Sequence, residues 1–427
     1  MGVRLGEDAA LAHIAASCFR TGPPRRTGVE LEWLVRDRRD PTAAVQAGRL
    51  ERALARLGPA DRLPHGGRIT LEPGGQVELS SRPAADPARC LDETAADLAL
   101  LRAALASAGL VLEGCGLEPW RTPERILDQP RYRAMESYFD HGGPWGRMMM
   151  RATASVQVNV DAGDDGTDTT GYRFRWELVH RLGPVLVAAF ANSPLWQGNP
   201  TGWVSTRQAV WSYMDPGRTR PPAPDGDPRT AWARYALDAR LLCLRRPAPA
   251  SWTAPHDTSL RSWLRGSPLD PPPTLADAEY HLTTLFPPVR PRGWLELRMI
   301  DAQRGDDWQV PVLLVGALLD DPVAARAAYR ATAPLMDAAD GGEVPPWAIW
   351  RRAARFGPAD PLIGASVRAC FEAASASLAR SGTPEGLRNA VAGFARRYPE
   401  RGRCPADDLL DAGYAGSAPD LTEGARR

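Results

Sequence analysis

The sequence predicts an α+β fold built on a mainly antiparallel sheet, and three observations carry that expectation. Strand-like and helix-like segments are interspersed without the regular βαβ alternation of a parallel sheet. No GxGxxG turn follows a strand candidate, as a dinucleotide-binding fold would require. Several strand candidates place Glu on one face and apolar residues on the other, the pattern of a sheet packed on one side and open on the other.

The elements follow in order. Gly6 to about Phe19 has helical spacing, broken by the Arg20–Arg26 stretch with Gly22, Pro23 and Pro24. Thr27–Val35 alternates acidic and apolar residues, so it reads as a strand with Glu30 and Glu32 on one face. Residues 42–57 read as a helix. Arg68–Glu72 and Gln76–Ser80 are strand pieces around the break Pro73-Gly74-Gly75. An Ala/Leu-rich helix is predicted over 88–109, a strand over Leu110–Leu117, and helix and loop over 123–140. Met148–Asp161 reads as one long strand, with Thr153, Ser155, Gln157, Asn159 and Asp161 sharing a face. Helices are expected over 172–191 and Thr206–Tyr213, and a strand over Gly293–Asp301.

The 427 residues, 44% hydrophobic, suffice for a sizeable core. We expect one domain over residues 1–404, with a Pro-rich excursion at 216–273, a mainly helical part at 310–404, and a weakly structured tail at 405–427. There is no internal repeat. A formal charge of +1 supplies no field for nucleic acid or a membrane surface, and no run approaches the roughly 18 apolar residues of a membrane span. Glu7 and Asp8 interrupt what would be the positive region of a secretory signal. The six scattered cysteines form no CxxC pair and read as reduced thiols, so the expected location is the cytoplasm.

All 52 basic residues are Arg. A chain without Lys has no Walker A lysine, no Schiff-base lysine and no lysine base. Any phosphate must be held by Arg, backbone N–H groups or metal. Ser/His/Asp catalysis lacks a GxSxG motif.

The unusual feature is carboxylate on strands, where Glu is depleted. Glu30 and Glu32, Glu78 in Gln76–Ser80, and Glu296 in Trp294–Arg298 all have apolar neighbours. A face with several Glu repels itself unless a cation sits there, and Mg²⁺ is held by carboxylates together with substrate phosphates. A solvated acidic face fits the same pattern. Arg207, Arg218, Arg290 and Arg298 are candidates for bidentate binding of carboxylate or phosphate, or for surface ion pairs. Gln157 and Asn159 could face a nucleotide or a metal-bound water, or could form a polar pair within the sheet.

Five strings in order resemble one family. Gly28-Val29-Glu30-Leu31-Glu32 is similar to its opening metal-binding strand. Leu71–Ser80 contains an EPGGQxELS segment, Thr153–Asp161 a TxSVQVNxD strand, and Ser205–Arg218 an SxRxxxWxxxDPxR pattern. His281–Arg290 followed by Leu295–Arg298 matches HLTTxFPxVR and LExR. Together they resemble the glutamate–cysteine ligases of the plant and actinobacterial kind, most closely the actinobacterial branch that feeds ergothioneine synthesis.

The resemblance implies a glutamine-synthetase-like curved sheet forming a funnel covered by helices. It implies ATP- and Mg²⁺-dependent joining of the γ-carboxylate of L-glutamate to the amine of L-cysteine through γ-glutamyl phosphate, with two or more metal ions. By carry-over, Glu30, Glu32, Glu72, Glu78 and Glu296 would bind metal, and Gln157 and Asn159 would face nucleotide phosphates. Arg298, with Glu296, would act on the transferring phosphoryl group. Arg207, Arg218 and Arg290 would hold substrate carboxylates. Rival expectations are a γ-glutamyl ligase using another amine, a phosphotransferase, a metallohydrolase, and a non-catalytic small-molecule-binding regulatory protein. The sequence does not set the oligomeric state.

Overall fold

The computed structural model describes residues 5–21, 25–58, 63–223, 226–267, 269–337 and 345–412. The expected break at Gly22–Pro24 lies outside them.

The sheet is built from β1 (Thr27–Asp37), β2 (Arg68–Leu71), β3 (Val77–Ser80), β4 (Leu110–Glu113) and β5 (Ser155–Asp161). A short separate hairpin, β6 (Leu195–Trp196) and β7 (Asn199–Pro200), follows, and β8 (Val289–Pro291) and β9 (Trp294–Asp301) complete the sheet. The order is β2-β3-β1-β5-β9-β8, with β4 pairing the far end of β1, and every pairing is antiparallel. The sheet is therefore antiparallel, as the sequence predicts.

Alternation along β1 decides its two faces. Val29, Leu31 and Trp33 are buried, whereas Glu30 and Glu32 are only partly covered and point the other way. Leu79 and Val158 continue the apolar face, which packs against the helices Pro87–Ser107, Tyr172–Ala189 and Gln309–Asp320. Burying each such Val or Leu stabilises the fold by about 1.5–3 kcal/mol. The opposite face stays polar and becomes the floor of a cavity.

Three expectations need correction. Met148–Ala152 is not strand; it belongs to the helix Trp145–Ala152, and β5 begins at Ser155. The predicted strand over Leu110–Leu117 stops at Glu113. Residues 405–411 are not a weakly structured tail but the helix Pro405–Asp411. Pro405, Ala406 and Leu409 are buried, and the Ala406 N–H donates to the Ala191 carbonyl at 2.9 Å. Residues 413–427 lie outside those described. Within 216–273, Trp232, Leu237 and Leu260 join the main core. All six cysteines are buried and free.

Candidate active site

Strand register assembles the polar face. Glu32 of β1 stands opposite Glu78 of β3, which stands opposite Thr70 of β2. Glu30 lies between Ser80 and Gln157. Asn159 is opposite Glu296, and Glu296 opposite Arg290. Between the pairs Val156–Ile300 and Val158–Leu297, one residue of β5 (Gln157) stands against two of β9 (Arg298 and Met299), a bulge at Arg298.

Glu72 joins the row from the turn after β2. The Glu72 N–H donates to the Gln76 carbonyl, and the Gly75 N–H donates back to the Glu72 carbonyl, each at 2.9 Å. Gln76 locks this turn to the start of β5: its Oε1 accepts from Gly74 N–H at 3.0 Å and its Nε2 donates to the Thr153 carbonyl at 2.9 Å.

Glu30, Glu32, Glu72 and Glu78 line one cavity of about 300 Å³ together with Gln157, Arg131, Arg207, Arg290, Arg292 and Arg298. A second cavity, of about 640 Å³, lies beside it and is lined by Arg20, Arg26, Ser80, Asn159, Asp161 and Trp294 among others. Glu30 borders both cavities.

The electrostatics divide the cavity. Burial, then the carboxylates of Glu296 and Glu78, pushes Glu30 up to about 7. Burial, with Glu32 and Glu78, pushes Glu72 up to about 8. Burial also raises Glu32 and Glu78. The acids make local hydrogen bonds: Gln157 Nε2 to Glu32 at 2.9 Å, Asn159 Nδ2 to Glu30 at 3.3 Å, and Thr70 Oγ1 to Glu78 at 2.8 Å.

Glu296 behaves differently. Burial alone would raise it, but the guanidinium groups of Arg290, Arg298 and Arg292 outweigh burial and hold it near 2. Arg290 donates to its two oxygens at 2.8 and 3.2 Å, and Arg298 and Arg292 donate as well. Glu296 is completely buried and does not line the cavity. Glu296, expected as a fifth metal ligand, is here held by three arginines.

The arginines separate too. Arg207, on the helix Thr206–Tyr213, is placed by its bond to the Arg298 carbonyl at 2.8 Å and an ion pair with Asp301 at 3.7 Å. Its Nε and Nη1 have no hydrogen-bond partner, and neither does the Nε of Arg290 or of Arg298. Burial lowers Arg290 to about 10. Arg298 Nη1 also reaches Gln157 Oε1 at 2.5 Å. Arg218 is a correction. It is fully buried away from the cavity and donates to Asp215 at 3.0 Å, the Thr284 carbonyl at 2.8 Å and the Arg240 carbonyl. It clamps the chain after Asp215 to the His281–Phe286 segment and has no free edge for a substrate.

Sequence reasoning did not single out Arg131, Arg292, Tyr132 or the methionines Met135, Met149 and Met150, all of which line the cavity. Arg131, one arginine among many, is held by Thr283 through bonds of 2.9 Å to its Oγ1 and its carbonyl. It carried no motif.

Among the described residues, no three acids, histidines or cysteines close on a single point. The four carboxylates stand apart as a wall. Their donor set is nonetheless all hard oxygen, buried and short of positive charge on the β1–β3 side, which suits a hard divalent cation arriving with phosphate oxygens.

The family described as glutamate-cysteine ligase family 2 (GCS2) matches residues 26–424. Glutamate–cysteine ligase EgtA of Mycolicibacterium smegmatis is 40% identical over 425 residues, covering 97% of this chain and 94% of that protein. A chloroplastic glutamate–cysteine ligase of Oryza sativa subsp. japonica is 34% identical over 265 residues, 59% of this chain and 52% of that one. Among solved structures, the glutamate–cysteine ligase of Francisella tularensis in complex with AMP superposes with a TM-score of 0.55 at 12% identity, covering 94% of this chain and 87% of that one. This last likeness is one of fold.

Proposed function

This chain belongs to glutamate–cysteine ligase family 2, and we propose that it joins the γ-carboxylate of L-glutamate to the amine of L-cysteine with ATP and Mg²⁺. The products are γ-glutamylcysteine, ADP and phosphate, and the product feeds ergothioneine synthesis. The near-full-length identity to the mycobacterial EgtA proteins, 39–40%, supports that branch.

One observation carries the reading at the level of residues: two cavities meet at Glu30. The larger, edged by Trp294 and bearing Arg20 and Arg26, has the volume a nucleotide needs. The smaller, walled by carboxylates and arginines, fits amino acids. The γ-phosphate would arrive at their junction.

Glu30, Glu32, Glu72 and Glu78 would hold Mg²⁺, which when bound neutralises phosphate charge and polarises the transferred phosphoryl group. Arg298, which reaches Gln157 and lines the same cavity, would steady charge that develops on the phosphoryl oxygens. The γ-carboxylate oxygen attacks the γ-phosphorus and ADP leaves. The neutral amine then attacks the acyl carbon of γ-glutamyl phosphate, phosphate departs with the bonding pair, and the amine loses a proton. Arg207, which lines the cavity, would receive a substrate carboxylate. Orientation within the two joined cavities supplies the rest.

ADP release from the purified chain with Mg²⁺ and ATP, given L-glutamate, L-cysteine or both, tests the proposal. Turnover that needs both, with γ-glutamylcysteine identified by mass, is the expected result. ADP release with neither amino acid would overturn it in favour of a hydrolase. A glutamate requirement satisfied better by another amine would replace cysteine and keep the mechanism.

A further inference from the structure

The cavity has a second wall, built largely of methionine and aromatic side chains, with the Arg207 guanidinium 4.8 Å from the Trp211 ring at its edge. The cavity's carboxylates come from the sheet and the turn after β2, while Met135, Met149 and Met150 project from the helices Pro130–Phe139, which also carries Arg131, and Trp145–Ala152. Trp211, on the helix Thr206–Tyr213, and Phe286, just before β8, complete it. All five side chains are at most 9% exposed, so their cavity-facing atoms are nearly all they show. Three of the chain's eight methionines therefore meet at one small cavity. Behind them, Met148, Met214 and Cys243 belong to the same apolar cluster, which is separate from the main core.

We infer that this methionine–aromatic wall receives the side chain of the amine substrate and sets the preference for thiol over hydroxyl. The inference rests on the ligase reading above. In that reaction both amino acids converge on one carbon, at the carboxylate and arginine side, where charge must be neutralised. The amine lies only three bonds from its own side-chain sulfur, so that side chain must lie close to the reacting centre yet away from the row of carboxylates. The methionine–aromatic wall is what the cavity offers there. Thioether sulfur and aromatic rings make favourable contacts with a polarizable thiol. A hydroxyl placed against them loses water and gains no hydrogen-bond partner. An apolar wall rejects an added hydroxyl only moderately, by about 100-fold at most, so the expected discrimination is about 10- to 100-fold in kcat/KM.

The test is a substrate series on the full chain with saturating ATP, Mg²⁺ and L-glutamate, reading ADP release and product mass. L-Cysteine and L-2-aminobutyrate, in which methyl replaces thiol, should lie within about tenfold of each other, and L-serine about 10- to 100-fold below cysteine. Met149→Gln, which introduces a hydrogen-bonding group, should raise KM for cysteine about tenfold, leave KM for glutamate unchanged, and move the serine-to-cysteine ratio toward serine. Met149→Leu should keep the discrimination. Serine used as well as cysteine by the unmodified chain overturns the inference without any variant, and it leaves the ligase reading standing. A Met149→Gln protein with an unchanged serine-to-cysteine ratio, or with KM for glutamate rising in step with that for cysteine, also overturns it. Absence of γ-glutamyl product with all three amines defeats the ligase reading and this inference with it.

Discussion

Glu32 and Glu78 are direct cross-strand partners, two partly covered carboxylates side by side on the open face of the sheet. Like charges so placed destabilise a pair by roughly 0.2–1 kcal/mol. Glu78→Gln keeps an acceptor for the Thr70 and Ser80 hydroxyls and removes the repulsion. The metal-free protein should melt about 1–2 °C higher, while kcat falls at least about 100-fold, a loss of about 2.7 kcal/mol of transition-state stabilisation. A variant that melts lower, or that retains activity, would remove the carboxylate wall from the mechanism. Calorimetry and the ADP assay read the two effects.

The same wall makes stability depend on pH. Glu30 and Glu72 are raised above the ordinary value of 4.5, to about 7 and about 8. A carboxyl with a raised folded value contributes stability that is complete below its unfolded value and is lost as pH rises through the folded one. Glu296, held near 2, contributes in the opposite sense, losing its contribution only as pH falls from about 4.5 toward 2. In EDTA the melting temperature should therefore drop between about pH 5 and 8. Mg²⁺ should restore more at pH 8 than at pH 5.5, because it binds the ionised acids. Equal Mg²⁺ shifts at both ends of the range would count against metal at this site.

Glu296→Gln should differ from Glu30→Gln. Both should cost at least about 100-fold in kcat. Glu30→Gln relieves crowding and leaves the fold intact. Glu296→Gln leaves three guanidinium groups with a neutral partner and should destabilise by about 3 kcal/mol. Paired melting curves separate the two roles, and equal stabilities would show that Glu296 is not the anchor of Arg290 and Arg298.

Arg207 and Arg218 should also part company. Arg207→Ala should raise KM for glutamate at least about tenfold, about 1.4 kcal/mol, because it lines the carboxylate cavity. Arg218→Ala, by stranding half-buried Asp215 and two carbonyls, should cost about 3 kcal/mol of stability. An Arg207→Ala enzyme with unchanged glutamate KM would assign that carboxylate to Arg131 or Arg290.

Gly74 touches no substrate, yet a Cβ there would fall 1.9 Å from the Arg151 carbonyl oxygen. Its neighbour Gly75 holds a φ of +89° that suits Gly alone. Gly74→Ala should thus displace the turn carrying Glu72 and Gln76 and reduce kcat/KM at least about tenfold. Normal activity would mean that this turn does not position Glu72.

Much of this site could be read from period-two alternation. Glu30 and Glu32 had to share a face once β1 was extended, and Gln157 and Asn159 likewise on β5. Alternation says nothing of partners across the sheet, so it could not tell Glu78, which takes hydroxyls from Thr70 and Ser80, from Glu296, which takes three arginines. It could not distinguish Arg207 from Arg218 either, since burial by distant carbonyls decides between them. Met148–Ala152 was misread because a short apolar run fits strand and buried helix equally well. For the same reason the methionine wall stayed invisible: its members come from two helices and meet only in three dimensions.

β1 is paired on one side to β3, on the other to β5, and at its far end to β4. A single residue inserted or deleted between Gly28 and Trp33 would rotate Glu30 and Glu32 into the packed face and bring Leu31 out. No neighbouring strand could shift to compensate without breaking its own ladder. Length variation in a chain of this kind is therefore confined to the connections, and the stretch from Gly28 to Trp33 serves as its fixed ruler.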